Sequence, residues 1–375
     1  MTTTPFRIFT KRLFILFTIG VVFLFLLACA NAFLHPERWW FFALLGLAFP
    51  FLLLFTVVLF FFWAFFRSRW VFVPFAALLI GFTNIRALIG FHFGKKFRTE
   101  KTSETIRILT WNVNRFTDES ADGQSGYRKD LLQIVKREEP DVICFQEYLE
   151  PNPQAGLSII TKNLEEMGYG SRFVVTDYSR TNGTYHVGVA IFSRHPFIDS
   201  LRIRFQGPRT LRAAESLIAC DITVHGKTIR IYTTHLQSVL LQKKDYRDLD
   251  IIRNAKDSMV EASRSILRKL KQGYSLRGDQ VDLVRQELDR SPYPAIVCGD
   301  FNDVPNSYTY FQIKGDWNDA FVEKGSGMGR TFANLSPTLR IDYVMADKRF
   351  EVLQYKRQVI SYSEHYPILV DFQLP

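Results

Sequence analysis

Two apolar runs without a single charged residue, 13–34 and 41–66, constrain this chain more than any other feature. Each is long enough to cross a hydrocarbon core of about 30 Å. Inside lipid every backbone N–H and C=O must be paired within its own segment, so both runs are expected to be membrane-spanning helices. A third run, 70–91, is interrupted by Asn84 and Arg86 and is expected to span with Arg86 snorkelling toward the headgroups. Trp39, Trp40 and Trp70 lie at run ends, where amphipathic rings settle at the interface. A cleavable leader over 11–32, ending near Ala28-Cys29-Ala30, is the competing reading. The second apolar run starts only six residues after the first, which favours spans.

Charge divides the chain at the same place. Residues 1–100 hold ten Lys and Arg against two acids, and so carry +8 of the formal +10, which leaves +2 for 101–375. The basic excess therefore reports membrane flanks and excludes a strongly basic nucleic-acid footprint on the soluble part. Basic residues tie, five against five, between the two faces that three spans create. The first helix then decides, which predicts an integral protein of a plasma or inner membrane with its N-terminus inside and 101–375 outside the cytoplasm.

Residues 101–375 alternate between strand and helix patterns. Strands are expected at 106–113, 141–145, 173–176 and 187–192, a hairpin at 216–224 and 228–234 around His225-Gly226-Lys227, and further strands at 340–345, 352–355 and 367–372. An amphipathic helix is expected at 127–138. The charged stretch 247–290, with Leu249, Ile252, Ile266, Leu270, Leu283 and Leu288 at helical spacing, predicts one or two surface helices divided near Gly273 to Gly278. Cys29, Cys144, Cys220 and Cys298 sit within apolar runs, without the spacing of a metal site, and read as buried small hydrophobes.

What ends the strands is informative. The apolar run 295–298 stops at Gly299, Asp300, Phe301 and Asn302. Asp300 and Asn302 are two residues apart, so an extended backbone points both to one side, an acceptor beside an amide. Asn112 and Asn114 end another strand, Glu147 a third and His235 a fourth; Asp342 opens a strand and His365 precedes one. Each alone has an ordinary structural reading as a turn former or a solvated strand end. Every long apolar run ending in a carboxylate, amide or imidazole is hard to reconcile with chance.

In this order, the strings WNV, QE, TH, GDFN, IDYV and SEH across 105–374 resemble the endonuclease/exonuclease/phosphatase superfamily, whose members include deoxyribonuclease I. The resemblance implies an α+β fold, a four-layer α/β/β/α sandwich, here preceded by about three transmembrane helices. It implies two regions, a membrane anchor over 1–100 and a catalytic domain over 101–375. It also implies phosphodiester hydrolysis with Mg²⁺ or Mn²⁺, with Glu147, Asn112 and Glu364 as metal ligands and Asn112 also touching phosphate. Asp300 is expected to activate water, Asn302 and His235 to bind phosphoryl oxygens, and His365, oriented by Asp342, to contact the scissile phosphate. Substrate is then a nucleic acid or a lipid headgroup, the bilayer is a partner, and no protein partner is predicted. The alternative is a non-catalytic, membrane-tethered binding module.

Three departures narrow this. Ser363-Glu364-His365 stands where the family has Ser-Asp-His, Asn114 stands where apurinic endonucleases carry Asp, and no counterpart of their active-site Tyr is found between Ser193 and the hairpin. Apurinic-site repair is disfavoured. Gly325 to Phe332 is Gly-rich without a P-loop lysine and reads as a flexible loop, or as a substrate-facing rim carrying Arg330. Arg202, Arg204, Arg209 and Arg212 make an exposed edge, with a phosphate-binding patch as the alternative.

Overall fold

Strand residues that alternate between two buried faces account for the near-continuous apolar runs. In the computed structural model, which describes residues 5–94, 97–101, 104–116, 126–152, 154, 156–206, 216–239, 259–334 and 336–375, two six-stranded sheets pack face to face. One has the order β13-β14-β2-β3-β5-β4, with β2 at Thr105–Asn112, β3 at Val142–Pro151, β4 at Ser171–Arg180, β5 at Tyr185–Ser193, β13 at Glu351–Arg357 and β14 at Ile368–Gln373. The other has the order β10-β12-β9-β8-β7-β6, with β6 at Phe197–Arg204, β7 at Ser216–Val224, β8 at Lys227–His235, β9 at Ala295–Asp300, β10 at Asn318–Asp319 and β12 at Asp342–Ala346.

Ile106 and Ile108 of β2 point between the sheets against Ile218, Ile231 and Cys298, whereas Leu109 and Trp111 point outward. There they meet Leu131 and Val135 of helix α5 (Gly126–Glu138) and Leu164 of α6 (Ile159–Glu166). Across the sandwich, Tyr232 and Val297 meet Val281 and Val284 of α7 (Met259–Asp289). The four layers follow directly from strands buried on both faces. All four cysteines are buried and unbridged.

The N-terminal region comprises α1 (Pro5–Ala30), α2 (Pro36–Phe65), α3 (Phe72–Ile80) and α4 (Phe82–Leu88). Two helices, Pro5–Phe33 and Pro36–Phe65, are long and apolar enough to cross a membrane. The third run is not one straight span, because Arg69–Ile80 and Phe82–Leu88 are bent by 62°. A Cβ on Gly81, at the break, would lie 2.7 Å from the ring of Phe25. Beyond it, Asn84 turns inward and donates to the Cys29 carbonyl and the side chain of Asn306. Arg86 is exposed.

Two expectations are corrected by packing. Stretch 259–289 is one unbroken helix through Gly273 and Gly278, because those glycines make room rather than a break: a Cβ on Gly278 would lie 2.8 Å from His35. The helix is thus pressed against the start of α2, with Tyr274, Arg277 and Val281 buried. Leu249 and Ile252 lie outside the described residues. The Gly-rich stretch after Lys324 is no free loop, since Ser326–Gly327 (β11) pairs with Gly90–Phe91 (β1) and follows α9 (Ala320–Lys324). Helix α8 (Tyr308–Lys314) packs Tyr310 and Ile313 with Val281 and Val284 of α7 on the outer face of the second sheet.

Candidate active site

The two parallel pairs, β2–β3 and β8–β9, run in the directions that bring Asn112, Glu147, His235 and Asp300 to one end of the sandwich. Antiparallel neighbours add residues from their opposite ends: Asp342 opens β12 and pairs with Asp300, and His365 lies just before β14. Phe332 forms a bridge with His365, their rings 4.9 Å apart. Glu147, His235, Asp300, Phe332 and His365 line a cleft of about 340 Å³, with Asn112 and Asp342 behind them, bonded to Asp300 and His365.

Asp300 is the hub. Oδ2 accepts from Asn112 Nδ2 at 2.9 Å, and Oδ1 accepts from the Asn302 backbone N–H at 2.9 Å. His235 Nε2 and His365 Nε2 face the same Oδ2 at 3.7 and 3.8 Å. Gly299 explains why glycine precedes the aspartate: its φ is +139°, and a Cβ there would lie 2.0 Å from the Thr234 carbonyl of the neighbouring strand. Asn302 adopts φ +54°, which turns the chain back so that its amide donates to the Leu236 carbonyl at 2.8 Å.

His365 is held by Asp342, whose two oxygens both lie 3.0 Å from Nδ1, so Nε2 faces the cleft and Asp300. Burial pulls this imidazole down, but Asp342 and then Asp300 outweigh it and hold its pKa at about 9 against an ordinary 6.5. Asp342 is itself pushed up by burial, with His365 drawing it back. The imidazole is therefore a cation at neutral pH. Because its pKa is higher folded than unfolded, its contribution to stability is full below about pH 6.5 and is lost as pH rises through about 9. In metal-free protein, the urea-unfolding free energy is expected to fall across that window more steeply in the native sequence than in His365→Gln. Parallel curves would mean that the folded imidazole is neutral.

Glu147 interrupts the β3–β5 register between Phe145 and Tyr148, with φ +49°. The bulge swings its carboxylate toward the cleft, where Oε1 lies 4.0 Å from His235 Nε2. Its Oε2 is buried without a hydrogen bond, 3.2 Å from Arg115 Nε. A buried carboxylate oxygen with an ion pair to Arg115 but no hydrogen bond, its other oxygen facing His235 in the same cleft as Asp300, suits a hard divalent cation such as Mg²⁺ that needs few protein ligands. Asp300, Asp342 and His365 also place ligand atoms within 4.8 Å of one another, a second candidate cluster. The two clusters share one cleft.

The other residues expected at the site are placed as follows. Asn112 accepts from the Asn114 N–H through Oδ1 and donates from Nδ2 to Asp300, which ties it to the Asp300 carboxylate. Glu364 is exposed at the rim, where Asn114 and Asn334 donate to its two oxygens at 3.1 and 3.0 Å. Arg330 stays outside the cleft wall, its Nε donating to the Phe332 carbonyl at 2.8 Å. Arg202 is bound to Ser216 and the Thr176 carbonyl, a structural role, while Arg209 and Arg212 lie outside the described residues.

Residues without a sequence signal complete the cleft. Arg115 stands beside Glu147 in a positive-φ turn. Tyr178 lines the wall from β4, earlier in the chain than the segment between Ser193 and the hairpin. Its hydroxyl is pushed up first by burial and then by Glu147. Leu47, from α2 of the N-terminal region, lines the same cleft.

A sequence profile described as the Endonuclease/Exonuclease/phosphatase family matches residues 109–363, and one described as a domain of unknown function matches 11–88. No curated protein matches the chain. Among solved structures, an endonuclease/exonuclease/phosphatase from Beutenbergia cavernae is 20% identical with a TM-score of 0.51, covering 72% of each chain. One from Bacteroides vulgatus is 16% identical with a TM-score of 0.51, covering 73% of this chain and all of that one. The human nocturnin catalytic domain with bound sulfate is 20% identical with a TM-score of 0.50, covering 72% of this chain and 93% of that one. At these identities the likeness is one of fold.

Proposed function

The chain belongs to the endonuclease/exonuclease/phosphatase family, and on that premise we propose that it is a membrane-anchored phosphodiester hydrolase working with Mg²⁺ or Mn²⁺. One observation carries the reading: six polar side chains from positions 112 to 365 meet within 4.0 Å contacts around Asp300 and Glu147. Asp300 takes a proton from the attacking water, its carboxylate held by Asn112 and the Asn302 N–H. The P–O bond to the leaving group breaks, and His365, already protonated and oriented by Asp342, gives its Nε2 proton to the departing oxygen. His235, between Glu147 and Asp300, donates to a phosphoryl oxygen, and Asn302, whose amide has a second proton to give, is placed to do the same.

Glu147 holds the divalent ion, which when bound supplies Lewis-acid charge to the phosphoryl oxygens. The region to residue 100 is the anchor. Arg7, Lys11 and Arg12 at the start of α1 favour an N-terminus in the cytoplasm, and with the bent pair Arg69–Ile80 and Phe82–Leu88 taken as a third crossing the catalytic domain lies outside it.

The full chain in detergent should hydrolyse bis(p-nitrophenyl) phosphate with Mg²⁺ or Mn²⁺ and stop in EDTA. Glu147→Gln is expected to raise the Mg²⁺ concentration for half-maximal rate by about tenfold or more. Equal rates with and without EDTA would refute metal dependence.

A further inference from the structure

The cleft has two halves of different chemistry. One is the polar set already described. The other is apolar and comes partly from the anchor: Leu47 of α2 faces Val239, Leu270 and Val304. Leu47 is 37% exposed, so this wall is open.

Its depth relative to the bilayer can be read along α2. Trp39 and Phe41 are exposed near the helix start, and Trp40 carries Lys271 of α7 over its ring at 5.9 Å, an aromatic belt of the kind that sits among headgroups. Leu47 lies seven residues beyond Trp40, about 10 Å deeper along the helix axis. From Ala48 to Phe65 the helix has about 27 Å left, close to one hydrocarbon thickness. The apolar wall of the cleft therefore lies at the boundary between headgroups and acyl chains.

The catalytic loop is fastened at that level. Asn31, between α1 and α2, donates to the Asn306 carbonyl at 3.0 Å, and Asn306 donates to the Ala28 carbonyl at 2.9 Å. Asn84 bonds the Asn306 side chain. A Cβ on Gly46 would lie 2.8 Å from Asn31 and 3.6 Å from Val304, so α2 touches the loop that begins at Asp300. Buried asparagines at an apolar anchor are costly unless paired, and here Asn31 and Asn84 find their partner, Asn306, on the loop carrying the general base. The domain does not swing on a tether; its cleft is fixed at the bilayer surface.

Resting on the hydrolase reading above, we propose that the substrate is a phosphodiester lipid of the surrounding bilayer. It enters sideways, with its phosphate among Asp300, His235 and His365 and the first part of its apolar chains along Leu47 and Leu270. A soluble nucleic acid has nothing to place on that wall, and the near-neutral domain offers it little charge. Hydrolysis adds water across one P–O ester bond and needs no other reactant.

The test uses the full chain in nanodiscs containing phosphatidylcholine, phosphatidylethanolamine, phosphatidylglycerol and sphingomyelin, with Mg²⁺. Comparison substrates are the deacylated headgroup diesters, a single-stranded oligonucleotide and bis(p-nitrophenyl) phosphate. At least one bilayer lipid is expected to be cleaved about 100-fold faster than its deacylated counterpart. Leu47→Gln and, on the soluble side, Leu270→Gln should each lower the ratio of lipid to bis(p-nitrophenyl) phosphate turnover by about tenfold. Preference for the oligonucleotide or the deacylated diester, or unchanged ratios in both variants, overturns the lipid assignment while the hydrolase reading stands. No cleavage of any substrate overturns both.

Discussion

Asp300→Asn is expected to lower turnover of bis(p-nitrophenyl) phosphate by about 10² to 10⁴, roughly 3 to 5 kcal/mol of transition-state stabilisation, in a protein that still folds. The substitution keeps shape and burial but removes the base. It also puts an amide where two donors now converge: the Asn112 side chain and the Asn302 N–H each give a hydrogen bond to Asp300, and a single amide oxygen can serve only one well. Asp300 further helps hold His365 protonated, so the acid partner is weakened together with the base. Turnover and a thermal melt should be read on the same preparation. Activity within tenfold of the native protein, with the fold intact, would show that the water is activated elsewhere.

Much of this site is legible in the sequence because strand polarity is legible. An apolar run buried on both faces must end where the sheet ends, and the polar residue at that end is delivered to the sheet edge: Asn112, His235 and Asp300 follow from this, and Asp342 and His365 follow from strands running the other way. Glu147 obeys the same rule for a different reason, since it sits inside β3 and reaches the edge only through a register shift. Arg115 and Tyr178 escape it, because a positive-φ turn and a place on a cleft wall leave no periodic trace. Side-chain partners are equally hidden: nothing in the sequence shows that the Asn112 amide bonds both the Asn114 N–H and Asp300.

The helices show the complementary limit. Gly273 and Gly278 read as a break because helix propensity penalises glycine by about 1 kcal/mol, yet contact with His35 and Pro36 decides at Gly278. Asn84 reads as an interruption in a span, and its polarity is used by Asn306, a residue 222 positions away in sequence. Propensity and hydropathy describe a segment in isolation, and both residues are explained only by what docks on them.

The same docking surface makes Arg340 the residue whose loss should cost the most stability. It is 1% exposed. Its Nη1 pairs with Asp319 at 2.8 Å, and its Nη2 donates to the Ala87 carbonyl of α4 at 2.7 Å. The guanidinium lies 4.5 Å from the ring centre of Phe321 and 4.7 Å from that of Tyr343. Arg340→Ala leaves the Asp319 carboxylate buried with only neutral donors, Tyr310 and the Phe321 N–H, and breaks a bond between anchor and catalytic domain. Stranding one member of a buried pair costs about 3 to 5 kcal/mol. Arg340→Met with Asp319→Asn should recover much of that, because the uncompensated charge goes with its partner. The exposed pair Lys348–Asp316, at a comparable 2.9 Å, is the control: Lys348→Ala should change stability by about 1 kcal/mol or less. Chemical denaturation of the full chain in one detergent compares all three. Activity should fall with Arg340→Ala as well, since the Tyr343 hydroxyl joins the Arg340 and Asp303 carbonyls and Asp342, two residues on, holds His365. If Arg340→Ala costs no more than Lys348→Ala, the guanidinium is not what fastens the anchor to the active-site strand.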